Sequence, residues 1–186
     1  LHQFVVGTSF GSPLMQFSPI KCAALHIYSK DSGLGKTTAM EAGVSVWGKP
    51  EDLLTYKSDT VNTRMNRGEV YHSLPLYMDE LTNSHGRELS DLVYQLTGGK
   101  QRGRMASGSN TERYRGEAWS LLAVTTGNTS VVERVSITKS MPKAEAQRIL
   151  ECRVKKMHFE TKEETDIFSA AIKDNYGHAG KEYIQY

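Results

Sequence analysis

The sequence predicts an α/β domain in which a mostly parallel sheet is flanked by helices. Two observations predict it. Short apolar runs of the kind buried in a parallel sheet recur along the chain, and each is followed by polar or small residues and then by a segment of helical period. At 186 residues the chain is long enough for one domain with a sizeable core, and no linker divides it.

The first apolar run is CAALHIY, Cys22 to Tyr28. A glycine-bearing loop follows, then a helix from about Lys36 to Trp47, with Met40, Val44 and Trp47 on one face and Gly48 and Pro50 as its stop. The second run is LPLYM, Leu74 to Met78, leading into Asp79 and Glu80. A helix from about Glu88 to Leu96 comes next, with Leu89, Leu92, Val93 and Leu96 on one face, and Gly98 and Gly99 end it. A third strand is read in WSLLAVTT, ending at Thr125 and Thr126, and a fourth in ILECRV, Ile149 to Val154. Thr161 with Glu164 forms a capping box for a late helix carrying Ile167, Phe168, Ala171 and Ile172. NYGHAG then turns the chain into a last helix.

Composition excludes several classes. With 38% hydrophobic and 24% charged residues the chain has a globular balance rather than a disordered one. A net charge of +2 is too small to name a partner, so only local clustering of charge is informative. The two cysteines, Cys22 and Cys152, lack metal-ligand spacing and read as small buried hydrophobes in a reducing compartment. No run approaches the ~20 apolar residues of a membrane span, and no signal peptide is read. No membrane partner and a cytoplasmic location are expected. The start at Leu1 suggests a segment of a longer protein.

The most informative stretch is KDSGLGKTT, Lys30 to Thr38, which matches the phosphate-binding Walker A pattern at Gly35, Lys36 and Thr37. Small residues let backbone N–H groups curl around phosphate oxygens, and the helix that follows points its positive end at the same anion. Ser32, Gly33, Leu34, Gly35, Lys36, Thr37 and Thr38 are the expected nucleotide-binding residues. Lys36 is placed to reach the β- and γ-phosphates, and the Thr37 hydroxyl to ligate Mg²⁺. The first glycine of the pattern is replaced by Lys30, and Gly33 supplies flexibility inside the loop. ATP and Mg²⁺ are the expected ligands.

LPLYMDE adds the second half of such a site. Asp79 is the expected holder of the Mg²⁺ shell and Glu80 the expected general base toward water. Asp79 follows Lys36 by 43 residues, room for one helix and one further strand. After the third strand, Asn128 is the first choice for positioning the lytic water and Thr126 the second. An Asn-Thr-Ser turn without that duty is the alternative.

Residues 100–116 carry Lys100, Arg102, Arg104, Arg113 and Arg115, with SGSN as a turn signal between the basic arms. As a β-hairpin this insertion would grip nucleic-acid phosphates without reading sequence, and Tyr114 would stack on a base. A solvated loop is the other reading. Arg134 and Arg148 are candidates for an arginine finger in a neighbouring subunit's site, as is one of the hairpin arginines. Arg148, just before the fourth strand, is the one carried forward as catalytic with Lys36, Glu80 and Asn128. His178, in NYGHAG, is either a residue approaching the nucleotide or an ordinary loop histidine.

FGSPL near the start, LHIYSKDSGLGKTTAMEAGVSVWG, LPLYMDEL, VYQLTGGKQRGRM and NYGHAG together resemble the helicase-like P-loop domain of phage, plasmid and prophage replication proteins, long known only as a domain of unknown function. The resemblance covers nearly the whole chain. It implies a three-layer αβα P-loop NTPase fold of the ASCE type, RecA- or AAA+-like, with the catalytic Glu on the strand next to the phosphate-loop strand. It also implies ATP hydrolysis, work on DNA (single-stranded DNA as the expected form) and a ring-shaped homo-oligomer, a hexamer being the first form to test. A nucleotide-controlled assembly switch or loader, without unwinding, is the alternative drawn from the same site.

Overall fold

The structure, a computed structural model, describes residues 1–56, 59–101, 103, 116–138, 142–157 and 159–185. Helix α1 (His2–Gly11) runs into a 3₁₀ turn, Ser12–Phe17, and strand β1 (Cys22–Tyr28) follows. Then come α2 (Lys36–Ser45), α3 (Pro50–Leu53), α4 (Val61–Tyr71), β2 (Leu76–Met78), α5 (Gly86–Thr97) and β3 (Leu121–Gly127). Helices α6 (Val131–Ser136) and α7 (Lys143–Ala146), strand β4 (Ile149–Arg153), α8 (Lys162–Asp174) and α9 (His178–Gln185) complete the order.

Among the described residues, four strands form one sheet in the order β2-β3-β1-β4, and their pairings are parallel. All four carboxyl ends therefore meet at one rim. Side chains alternate cleanly across the sheet. Cys22 and Ala24 of β1, Leu76 and Met78 of β2, and Leu121 and Ala123 of β3 pack with Met65 of α4 and with Leu89, Leu92, Val93 and Leu96 of α5. Their neighbours Leu25, Ile27, Tyr77 and Val124 face the other way, onto Val5 of α1 and Ala39, Met40 and Val44 of α2. The sheet thus has helices and a buried core on both faces, which is why its strands are apolar throughout.

One expectation is corrected by the sheet order. The strand leading to Glu80 is not next to the phosphate-loop strand, because β3 lies between β1 and β2. Apolar runs predict that strands exist but not which ones pair. The further strand expected between Lys36 and Asp79 is reduced, among the described residues, to a single parallel bridge between Thr55 and Met78. The space is taken up instead by α3 and α4.

Three boundaries also move. Helix α2 stops at Ser45 rather than Trp47, because Gly177 and Gly180 donate their N–H groups to the Ser45 and Val46 carbonyls. A Cβ at Gly180 would lie 2.6 Å from the Trp47 ring, so that glycine is what lets α9 seat on the end of α2. Strand β2 starts at Leu76, after Pro75, which has no N–H to give to a ladder. Helix α5 is longer at both ends than predicted. The Thr161–Glu164 capping box is present as expected. Both cysteines are free thiols, and burial pushes Cys22 up to about 12, as suits an inert core residue. Among the described residues no helix is long and apolar enough to cross a membrane.

Candidate active site at the carboxyl rim of the sheet

In open parallel sheets, ligands bind in the crevice at the carboxyl ends of the strands where connections diverge to either side. Here that point lies between β1 and β3, since β1 connects outward to β2 and β3 crosses back to β4. A cavity of about 490 Å³ opens there. All seven predicted loop residues, Ser32 to Thr38, line it, together with Asp79, Glu80, Thr126, Gly127 and Asn128.

The loop conformation depends on two glycines. Gly33 and Gly35 have φ of 77° and 80°, the left-handed region that favours glycine, and Gly35 is the residue from which α2 starts. Lys30, at the position where the pattern has its first glycine, is exposed and is not among the positive-φ residues. The backbone does not demand glycine there, which accounts for the departure from the pattern. Lys36 Nζ donates to Ser29 Oγ at 2.7 Å and to the Asp31 carbonyl at 3.2 Å. Partial burial lowers its pKa, against the opposing pull of Asp79, Asp31 and Glu80. A cation held on neutral oxygens in a half-dehydrated site suits an anionic ligand.

Asp79 and Thr126 join the ends of β2 and β3. The Thr126 hydroxyl donates to Asp79 Oδ1 and accepts the Glu80 N–H at 3.1 Å. Thr37 Oγ1 donates to the other Asp79 oxygen at 3.4 Å. Glu80 itself is left-handed, with φ 54° and ψ 41°, unusual for a residue with a side chain. Such strain, about 1–3 kcal/mol, persists where surrounding contacts hold it. Here they are the two bonds from its N–H, to Thr126 and Asp79, and a third from Asn83 Nδ2 to Glu80 Oε2 at 2.8 Å. Asn83 was not predicted, although it stands three residues after Glu80.

Asn128 is exposed on the cavity wall, and its N–H donates to Thr82 Oγ1 at 3.1 Å. Thr126, the second choice, is the one bonded directly to the acidic pair. Below them His26 ties the end of β1 to the Asn128 turn. Its Nδ1 lies 2.8 Å from Thr125 Oγ1 and its Nε2 2.9 Å from the Thr129 carbonyl. A carbonyl only accepts, so Nε2 carries the proton and, in the neutral ring, Thr125 donates to Nδ1.

Burial lowers the His26 pKa, outweighing the raising effects of the Thr129 carbonyl and Glu151, while nearby Lys36 lowers it further. The folded state therefore favours the neutral ring. As pH falls through the unfolded value of about 6.5, the unfolded chain takes up a proton that the folded chain resists, so stability drops. The urea midpoint is expected to fall more between pH 7.5 and 5.5 in the wild type than in His26→Asn. Equal falls would assign the acid sensitivity to other groups.

Other predicted residues lie elsewhere. Arg148 stacks its guanidinium 4.5 Å over the Tyr94 ring and donates to the Ala144 carbonyl, outside the cavity lining. Arg134 donates to the Ser84 carbonyl at 3.4 Å. His178 begins α9 on the far end of α2 and does not line the cavity. Lys100 is exposed just past α5. Arg102, Arg104, Arg113, Tyr114 and Arg115 lie outside the described residues. Five lining residues were not foreseen: Gly127, Met157, Lys162, Thr165 and Asp166. Only the fold brings them to the loop.

The fold is shared with a solved structure described as "SCCmec type IV Cch - active helicase", at a TM-score of 0.67 and 19% identity. The similarity covers 98% of this chain and 33% of that one, so this chain spans about a third of the other's length. Residues 1–116 match the family described as "Domain of unknown function (DUF927)", and the chain belongs to that family. No curated protein matches the sequence.

Proposed function

We propose that the chain is a Mg²⁺-dependent nucleoside triphosphatase of the P-loop class, and the motor domain of a DNA helicase in the replication of a mobile element. The observation that carries this reading is the meeting of Lys36, Thr37, Asp79, Glu80 and Thr126 in one cavity at the carboxyl rim. The likeness of fold to a structure described as an active helicase supports the motor half of the reading.

Each residue then has a task. Gly33 and Gly35 turn backbone N–H groups toward the phosphates, and Lys36 exchanges Ser29 and Asp31 for β- and γ-oxygens. Thr37 and Asp79 would hold Mg²⁺, a hard cation suited to oxygen donors. The donor set fits, because a hydroxyl and a carboxylate, hard oxygen donors, converge there. Bound Mg²⁺ supplies charge neutralisation to the triphosphate. Glu80 takes a proton from the attacking water, with Thr126 and Asn128 fixing its place beside the β2 end. Arg148, or another arginine, would complete a neighbouring subunit's site in a ring, and residues 100–116 would hold single-stranded DNA.

The test is ATP hydrolysis by the purified chain with and without single-stranded DNA. Hydrolysis is expected to need Mg²⁺ and to rise severalfold with DNA, the stimulation weakening as salt increases. Hydrolysis indifferent to DNA at every salt concentration would remove the motor reading and leave the triphosphatase.

A further inference from the structure

The groups assigned so far account for only part of the cavity. Its remaining wall is Met157, Lys162, Thr165 and Asp166. All four follow β4, which pairs with β1 on the side away from β3 and β2. The phosphate loop is therefore central, the acidic pair and Thr126 lie on one flank, and these four lie on the other. A triphosphate whose terminal phosphate meets Glu80 directs its other end toward them.

We propose that Met157, Lys162, Thr165 and Asp166 form the nucleoside subsite of this cavity, with Met157 against the face of the base and the three α8 residues on the polar edge of the base and sugar. This rests on reading the cavity as a triphosphate site. Met157 is 39% exposed, and a thioether is a polarisable surface suited to a flat ring. Lys162, Thr165 and Asp166 stand at i, i+3 and i+4, on one face of α8. Lys162 only donates and ionised Asp166 only accepts. The Thr165 hydroxyl already donates to the Thr161 carbonyl at 3.1 Å and keeps its acceptor capacity. A nucleoside, unlike a bare phosphate chain, offers both donors and acceptors.

The helix end itself is not the ligand group. The capping box already engages the Glu164 N–H with Thr161 and the Thr161 N–H with Glu164, so recognition falls to side chains. The wall is also fixed relative to the phosphate loop. His2, Phe159 and Phe168 form an aromatic cluster with ring centroids 5.1–5.3 Å apart. A Cβ at Gly35 would lie 3.8 Å from the His2 ring. Ser169 of α8 donates to Glu41 of α2 at 3.1 Å. The same helix that begins at Lys36 thus anchors the proposed nucleoside wall.

The experiment is calorimetric titration with two probes, Mg-ATP and inorganic tripolyphosphate with Mg²⁺, on wild type, Lys36→Ala and the double variant Met157→Ala/Asp166→Ala. Wild type is expected to bind ATP more tightly than tripolyphosphate. The double variant is expected to lose about tenfold or more in ATP affinity, a change of ~1.4 kcal/mol, with tripolyphosphate affinity unchanged. Lys36→Ala is expected to weaken both. Wild type binding both probes equally, or a double variant that weakens both alike or neither, would overturn the subsite while leaving the phosphate reading intact. Wild type binding neither probe would overturn the triphosphate reading beneath it. The wild-type comparison needs no variant to fold.

Discussion

Glu80→Gln is expected to lower ATP turnover by roughly 10²–10⁴-fold, the range for loss of a general base, while nucleotide still binds. The substitution keeps the shape of the side chain and an oxygen for the Asn83 amide, whose bond to Glu80 Oε2 is 2.8 Å. The bonds from the Glu80 N–H to Thr126 and Asp79 are made by the main chain and survive. What is removed is the carboxylate to which the proposed function assigns the proton of the attacking water. Lys36→Ala is the contrasting variant, because it removes the cation from the phosphate loop and is expected to lose binding as well as turnover. Single-turnover kinetics beside equilibrium binding separate the two. A fall of less than tenfold in Glu80→Gln would place the base on another residue.

Trp119→Ala carries the largest expected cost in stability. The indole is 1% exposed within the core that joins β2 and β3 to α4 and α5. Its Nε1 donates to the Leu96 carbonyl at 2.8 Å, and a Cβ at Gly68 would lie 3.3 Å from its ring. Truncating a buried Trp costs about 3–5 kcal/mol, and the Leu96 carbonyl is left with its backbone bond from the Gly99 N–H. Against a typical domain stability of about 5–15 kcal/mol, that is a large share. The urea midpoint is expected to collapse, or the chain to fail to fold. A loss under about 1 kcal/mol would mean that the neighbouring side chains refill the space.

The sequence revealed the residues whose chemistry depends on local spacing. Cys22 to Tyr28, the loop from Ser32 to Thr38, and Asp79 with Glu80 were all legible, because a strand, a tight loop and a helix start leave contiguous signatures. The position of β3 between β1 and β2 left none, since strand order is decided by crossover connections and packing. Helix α4 was missed because only Met65 and Gly68 of its apolar or small residues are buried, alongside the buried and polar Arg64. Met157, Lys162, Thr165 and Asp166 were missed for a different reason. They stand about 120 residues or more from the loop they face, and nothing in their own spacing refers to it. Glycines in the motifs divide likewise. Gly35 serves the loop conformation, whereas Gly180 serves the contact of α9 with Trp47.

At the opposite rim of the sheet, the Trp119 N–H donates to the Gly99 carbonyl at 2.8 Å, and Gly99 is left-handed with φ 71°. The chain between them thus begins and ends at one clasp, near Lys21 at the foot of β1, where a Cβ on Gly99 would lie 2.8 Å from the Lys21 side chain. For a loop whose ends are held together, doubling the length costs in general only about 0.6 kcal/mol of closure entropy. A change in the number of residues between Gly99 and Trp119 is therefore expected to make little demand on the sheet that holds its two ends. Strand β3, seven residues or about 23 Å long, keeps that clasp away from Thr126. Changes in length between Gly99 and Trp119 are thereby kept at a distance from the groups gathered at the carboxyl rim.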